Sequence, residues 1–176
     1  MATTRIISMH VNQGKTIADC LTDRIDYSKN PDKTQGGELI SAYECDPKTA
    51  DAEFLFAKRQ YKTLTGREQQ SDVIAYQVRQ SFKPGEITPE LALEIAQAFA
   101  KEHLADYEVV IGVHVDKEHI HAHMVFNSVN LVTGRKYHSN AKSYYQQIRT
   151  ISDKLCREHG LSVIMEGKPS KAVSYI

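Results

Sequence analysis

The apolar positions of this chain fall into two periods, and the switches between them predict its elements. Residues 4–11 alternate, with Ile7, Met9 and Val11 on one side and Ser8 and His10 on the other, as in a half-buried strand. In residues 16–29 the apolar Ile17, Leu21 and Ile25 recur every four residues, the spacing of one helix face. Asn30-Pro31 closes that helix, because the residue before a proline is pushed out of the α region. Residues 38–45 read as a short strand, and Asp46-Pro47 leads into a helix with Ala50, Phe54, Ala57 and Tyr61 on one side. Residues 72–82 alternate again, placing Tyr76, Val78 and Phe82 opposite Gln77, Arg79 and Ser81. Thr88-Pro89-Glu90 starts a helix with a cap, a proline and an acid in the expected order. Two strands follow at residues 107–115 and 119–129, then a helix over residues 140–159 closed by Gly160, and a short strand over residues 161–164. This order predicts an α+β fold: a mainly antiparallel sheet with helices packed on one face, the other being left for a site.

The densest chemistry lies in HVDKEHIHAHMVFN, which runs from His114 to Asn127. Side chains of a strand alternate between faces. His119, His121, His123 and Asn127 therefore share one face, while Ile120, Ala122, Met124 and Phe126 share the core side. Across a hairpin with an even loop, two residues at Lys117-Glu118 or four at Asp116 to His119, His114 falls opposite His121 and Gly112 opposite His123, whereas an odd loop would turn His114 to the core. The glycine would leave a gap beside the third imidazole for an ion or a substrate backbone. Three imidazoles with open coordination positions form a catalytic rather than a structural metal pattern. Asp116 and His119 would sit one rung further out as orienting groups. Softness of the donors alone favours zinc, copper, iron or nickel.

Composition narrows the picture only slightly. At 176 residues, 41% apolar and 25% charged, the chain fits one globular domain. Its net charge is zero, so any nucleic-acid footprint must be local, and residues 133–176 do carry eight Lys or Arg against three Asp or Glu. Cys20, Cys45 and Cys156 form no paired motif, which argues against a disulfide framework or thiolate zinc and fits a reducing cytoplasm. No apolar run approaches the roughly 18 residues of a membrane span.

Three strings then converge on one family. The pattern His114-x-Asp116-x-x-His119-x-His121-x-His123-x-x-x-Asn127 resembles the third motif of conjugative relaxases, in particular the MobP class of HUH single-strand endonucleases. Residues 80–86 (QSFKPGE) are similar to the second motif and residues 26–34 (DYSKNPDKT) to the first. The resemblance implies a bacterial, cytoplasmic nickase whose tyrosine attacks one phosphate of transfer-origin DNA, leaving a 5'-phosphotyrosine and a free 3'-hydroxyl. It assigns Tyr27 as nucleophile and His114, His121 and His123 as ligands of magnesium or manganese. It also implies single-stranded DNA, accessory relaxosome proteins and a coupling protein as partners, and a longer protein of which residues 1–176 are the N-terminal relaxase domain. One departure is Gln77, at a position where many members carry histidine.

Chemistry fills in the remaining assignments. Tyr27 lies about 200° round the helix from Ile25 and so faces outward. Arg24, one turn earlier, would favour its phenolate, unless Asp23 pairs with it. His119 would relay the tyrosine proton or bond Asp116. A cationic, partly aromatic groove for a single strand would draw on Lys33, Arg79, Ser81, Lys83, Asn127, Arg135, Lys136, Tyr137 and His138. Tyr144-Tyr145 reads as helix packing. A replication initiator of the same fold, a metal hydrolase using water, and a binding module with a structural ion are the alternatives.

Overall fold

The computed structural model describes residues 2–68 and 72–164. Among these, five strands pair into one antiparallel sheet: β1 (Thr3–Met9), β2 (Ile40–Tyr43), β3 (Ala75–Ser81), β4 (Val109–His114) and β5 (His121–Asn127), in the order β1-β3-β5-β4-β2. The helices are α1 (Ile17–Ser28), α2 (Ala50–Thr65), α3 (Pro89–His103), a short α4 (Ala141–Ser143) and α5 (Thr150–Glu158). A π-helical segment, Tyr144–Arg149, joins the last two, so the helix expected over residues 140–159 forms with a wider middle turn. The expected last strand does not form; Val163 makes only an isolated parallel bridge to Ala2. No helix among the described residues is long and apolar enough to cross a membrane.

Local signals hold where they were strongest. Thr16 caps α1 by accepting from the Asp19 amide, and the helix stops at Ser28, just ahead of Asn30-Pro31. Thr88 caps α3 through the Leu91 amide, with Pro89 in the first turn. Each cap satisfies an amide that the helix itself leaves without a partner.

Alternation divides the sheet as expected. Tyr76, Val78, Ile111, Val113, Met124 and Phe126 point to a core formed with Ile95 and Phe99 of α3, Tyr144 and Ile148 of the π segment and Leu155 of α5. The opposite face is not bare. Val110, Val125, Ala75 and Met9 bury one end of it under Leu21 and Ile25 of α1 and Ala50 and Phe54 of α2. The site therefore occupies only the other end of that face, where the same strands turn from valine to histidine.

Candidate active site

The β4–β5 register is the one an even loop requires: His114 pairs with His121 and Gly112 with His123. The connecting loop is six residues, 115–120, longer than the two or four expected, so the strands end earlier and Asp116 and His119 lie in the loop rather than on a further rung, while the even parity is kept. Extending the rungs sideways gives two rows across the sheet. One runs Arg5, Arg79, His123, Gly112, Ile40; the next runs Thr3, Ser81, His121, His114. Arg5 thus shares the row of Arg79 and His123, which the alternation of residues 4–11 allowed but did not single out.

The gap at Gly112 is filled by the chain itself. A Cβ there would lie 1.8 Å from the Ser28 carbonyl oxygen, so the C-terminal end of α1 rests directly on the glycine. Ser28 O is one of the carbonyls that a helix end leaves unpaired, and His114 Nε2 donates to it at 3.0 Å. That contact, between residues 86 apart in sequence, fixes how Tyr27 meets the histidines. Tyr27 is 45% exposed, with its ring edge-on to His114 (centroids 5.3 Å, 68°) and His123 (6.0 Å, 86°). The outward direction read from the helix period is thus also the direction of the imidazoles.

Each histidine has a ring nitrogen engaged by this chain. His121 Nδ1 pairs with Ser81 Oγ at 2.8 Å, and His123 Nδ1 with Gln77 Nε2 at 3.1 Å. Burial lowers the proton affinity of all three rings, with His123 pushed down to about 3. They are neutral at pH 7, the form that ligates a cation. The rings of His114 and His123 are 4.0 Å apart and those of His121 and His123 6.3 Å. As they stand, no three His, Cys, Asp or Glu side chains among the described residues are grouped to hold an ion; ring rotation is needed to converge on one. Gln77 shows how the donor set fits. Its Oε1 is buried without a hydrogen-bond partner. A half-turn of the amide makes that oxygen the acceptor of His123 Nδ1–H, which leaves the lone pair of the imidazole nitrogen His123 Nε2 as the donor to metal.

The charged neighbours differ from the expected pairings. Asp116 bonds Lys33 Nζ at 2.6 Å rather than His119, and that bond holds its carboxyl below the usual carboxylate range. Lys33 Nζ stands 5.6 Å from the centroid of the Tyr27 ring. His119 lies in the loop, donating to the Phe82 carbonyl at 3.2 Å; among the described residues it bonds neither Asp116 nor Tyr27. Asp23 pairs with Lys15 at 2.6 Å, leaving exposed Arg24 beside Tyr27 in a groove of about 500 Å³ with Ser8, His10 and Asn12. Arg79 Nε is buried beside His123 without a hydrogen-bond partner, a donor suited to a phosphate oxygen. Lys83 is exposed in the turn after β3.

Five sequence assignments fall elsewhere. Asn127 is fully buried, its amide donating to the Phe54 carbonyl and to Glu108 Oε1, so it holds α2 to the sheet rather than facing a strand of DNA. Arg135, Lys136, Tyr137 and His138 lie beyond the far end of β5, about 20 Å from His121 at 3.3 Å per residue. Tyr137 packs with Tyr76, Tyr107 and Phe126 on the opposite face. Tyr144 packs inside, as its place on the helix suggested.

Comparison with known proteins matches this arrangement to one group. The profile "Relaxase: MobA/VirD2-like, nuclease domain" matches residues 27–161. A curated Staphylococcus aureus protein, "Protein rlx", is 43% identical over 134 residues, covering 74% of this chain and 39% of the relative. The "Group II intron-interrupted relaxase LtrB" of Lactococcus lactis subsp. cremoris is 30% identical over 190 residues, 89% of this chain and 34% of the relative. The chain thus spans well under half the length of these curated relatives. Among solved structures, the Mn-bound MobM relaxase domain with plasmid pMV158 oriT DNA aligns at a TM-score of 0.64 and 12% identity, over 98% of this chain and 96% of that one. That likeness concerns the fold.

Proposed function

The chain belongs to the MobA/VirD2-like relaxase nuclease family, and from that premise we propose that it nicks one strand of transfer-origin DNA with Tyr27 as nucleophile. The observation that carries the proposal is the exposed Tyr27 phenol set edge-on over His114 and His123. In the step, the Tyr27 oxygen bonds phosphorus and the bond from phosphorus to the 3'-oxygen breaks. The phenolic proton is lost and the departing 3'-oxygen takes one up. The product is a 5'-phosphotyrosyl link and a free 3'-hydroxyl, which retains the energy for rejoining. A tyrosine suits this better than water, which would discharge that energy.

His114, His121 and His123 would hold a divalent ion, which supplies Lewis-acid stabilisation and orientation of the scissile phosphate. Manganese in the MobM structures supports manganese or magnesium here. Lys33 Nζ stands 5.6 Å from the Tyr27 ring centroid and Arg24 lies in the same groove, two cations beside the phosphate that Tyr27 would attack. Arg79 and Arg5, on the His123 row, together with Ser81 and Lys83 at the end of that strand, meet the phosphates. His119, tied to Phe82, positions the loop rather than taking the proton. Transfer DNA is the partner this chemistry requires, with accessory relaxosome proteins and a coupling protein around it.

The test is to incubate the protein with labelled single-stranded origin DNA and manganese, then denature. A covalent adduct is expected from the wild type and none from Tyr27→Phe. Cleavage that persists in the variant would show that water or another residue attacks.

A further inference from the structure

At the opposite end of α1 from Tyr27 lies a second cavity, of about 370 Å³, which the nicking step does not use. Its size is within the range of roughly 300–1,000 Å³ typical of small-ligand sites. Its lining includes five basic residues, Lys15, Lys58, Lys62, Arg67 and Lys136, against two acids, Glu68 and Asp72. Lys62 pairs with Glu68 at 3.3 Å and Lys136 with Asp72 at 3.4 Å. Lys58 and Arg67 have no ion pair among the described residues. Lys58 Nζ donates to Ser128 Oγ at 2.6 Å, which leaves two of its protons unassigned. The rest of the wall is the Tyr61 ring, with Lys136 Nζ 5.1 Å from its centroid, together with Val11, Thr16, Ile17, Ile74 and Val129. An aromatic ring and aliphatic side chains beside cations without an ion pair have the make-up of a nucleotide site.

The cavity also connects with the active site. Lys15 lines both it and the groove that holds Tyr27, Arg24 and His10. From Ile17 in the cavity to Tyr27 the helix runs about 15 Å at 1.5 Å per residue, a span that a few nucleotides of extended strand can cover.

We propose that this cavity binds a nucleotide of the same single strand that Tyr27 cuts, its phosphate on Lys58 and Arg67 and its base against Tyr61. This rests on the DNA reading above. The cavity would set the register of the strand by holding it at a second point, and it gives Lys136 a role that its distance from the histidines otherwise denies. Burial pushes the Lys58 ammonium down to about 7, and a phosphate bound there would supply the countercharge that keeps its proton on.

The experiment uses the full chain and a fluorescein-labelled pool of random-sequence single-stranded DNA, about 16 nucleotides long, the upper end of single-strand site sizes. Anisotropy is read across a salt series for wild type, Lys58→Met, Arg67→Gln and, as a control for simple charge loss, the exposed Lys142→Gln. Lys58→Met and Arg67→Gln are each expected to bind about tenfold more weakly and to lower the salt slope by about 0.7, the loss of one phosphate contact. Lys142→Gln should match the wild type. Photocrosslinking the same pool carrying iododeoxyuridine should label Tyr61. If wild type binds the pool but both variants behave as Lys142→Gln and Tyr61 stays unlabelled, the cavity proposal falls and the nicking reading stands. If wild type does not bind the pool, the cavity proposal falls, and the nicking reading is decided separately by the Tyr27 adduct on origin DNA. Arg67 is exposed, so its variant folds and keeps the test decisive even if Lys58→Met does not.

Discussion

Gly112→Ala tests the geometry with a single methyl group. Gly112 has an ordinary strand φ, so alanine adds no backbone strain and the effect is steric alone. The new Cβ would meet Ser28 O at 1.8 Å and Ser28 C at 2.8 Å, both backbone atoms that cannot rotate away. Reaching ordinary contact at 3.4 Å requires a retreat of 1.6 Å by the end of α1. The His114–Ser28 bond, now 3.0 Å, would stretch beyond hydrogen-bond reach. Overpacking costs about 1–3 kcal/mol and the lost bond about 1 kcal/mol more. For a chain of this size that lowers Tm by roughly 5–15 °C. Tyr27 sits one residue before Ser28, so it moves with the helix end. A displacement of about 1 Å at a reacting group can cost on the order of a hundredfold in rate. Calorimetry and a time course of adduct formation, both below the variant's Tm, read the two effects separately. A variant with wild-type Tm and wild-type adduct rate would refute the claim that the helix end rests on Gly112 and positions Tyr27.

Three other perturbations address separate parts of the molecule. Gln77→Leu removes the group that orients His123, and manganese affinity by titration calorimetry should fall about 10- to 100-fold; unchanged affinity would mean that Gln77 does not support the ligand. Asn127→Ala breaks the tie to Phe54 and Glu108, so the urea midpoint should drop by the equivalent of about 1–3 kcal/mol, while saturating adduct yield stays at the wild-type level; loss of DNA affinity without loss of stability would return Asn127 to the DNA interface. Lys58 has a folded pKa of about 7 against an unfolded value of 10.5. Between these values the unfolded chain holds a proton that the folded chain has released, so this group makes stability rise with pH, by up to about 1.4 kcal/mol per unit. Lys58→Met should flatten the change in urea midpoint between pH 7 and pH 9 by that amount; equal slopes would show that Lys58 is not desolvated.

The sequence by itself determined what depends on neighbours along the chain. A period of two put His121 and His123 on the side opposite Ala122 and Met124, and hairpin parity brought His114 to them, since a strand offers only two faces and a register only two parities. The four-residue period of Ile17, Leu21 and Ile25 turned Tyr27 outward, and Asn30-Pro31 ended the helix just beyond it. The tertiary structure alone decided where that helix end lands. Nothing local to Gly112 says that its missing side chain admits Ser28 rather than an ion, because that contact joins residues 86 positions apart. The same reason explains why Asp116 binds Lys33 instead of His119, why Gln77 supports His123, and why Asn127, on the right face of the right strand, lies under α2. A strand's pattern fixes which side a residue faces; only packing fixes what covers that side at each point along it.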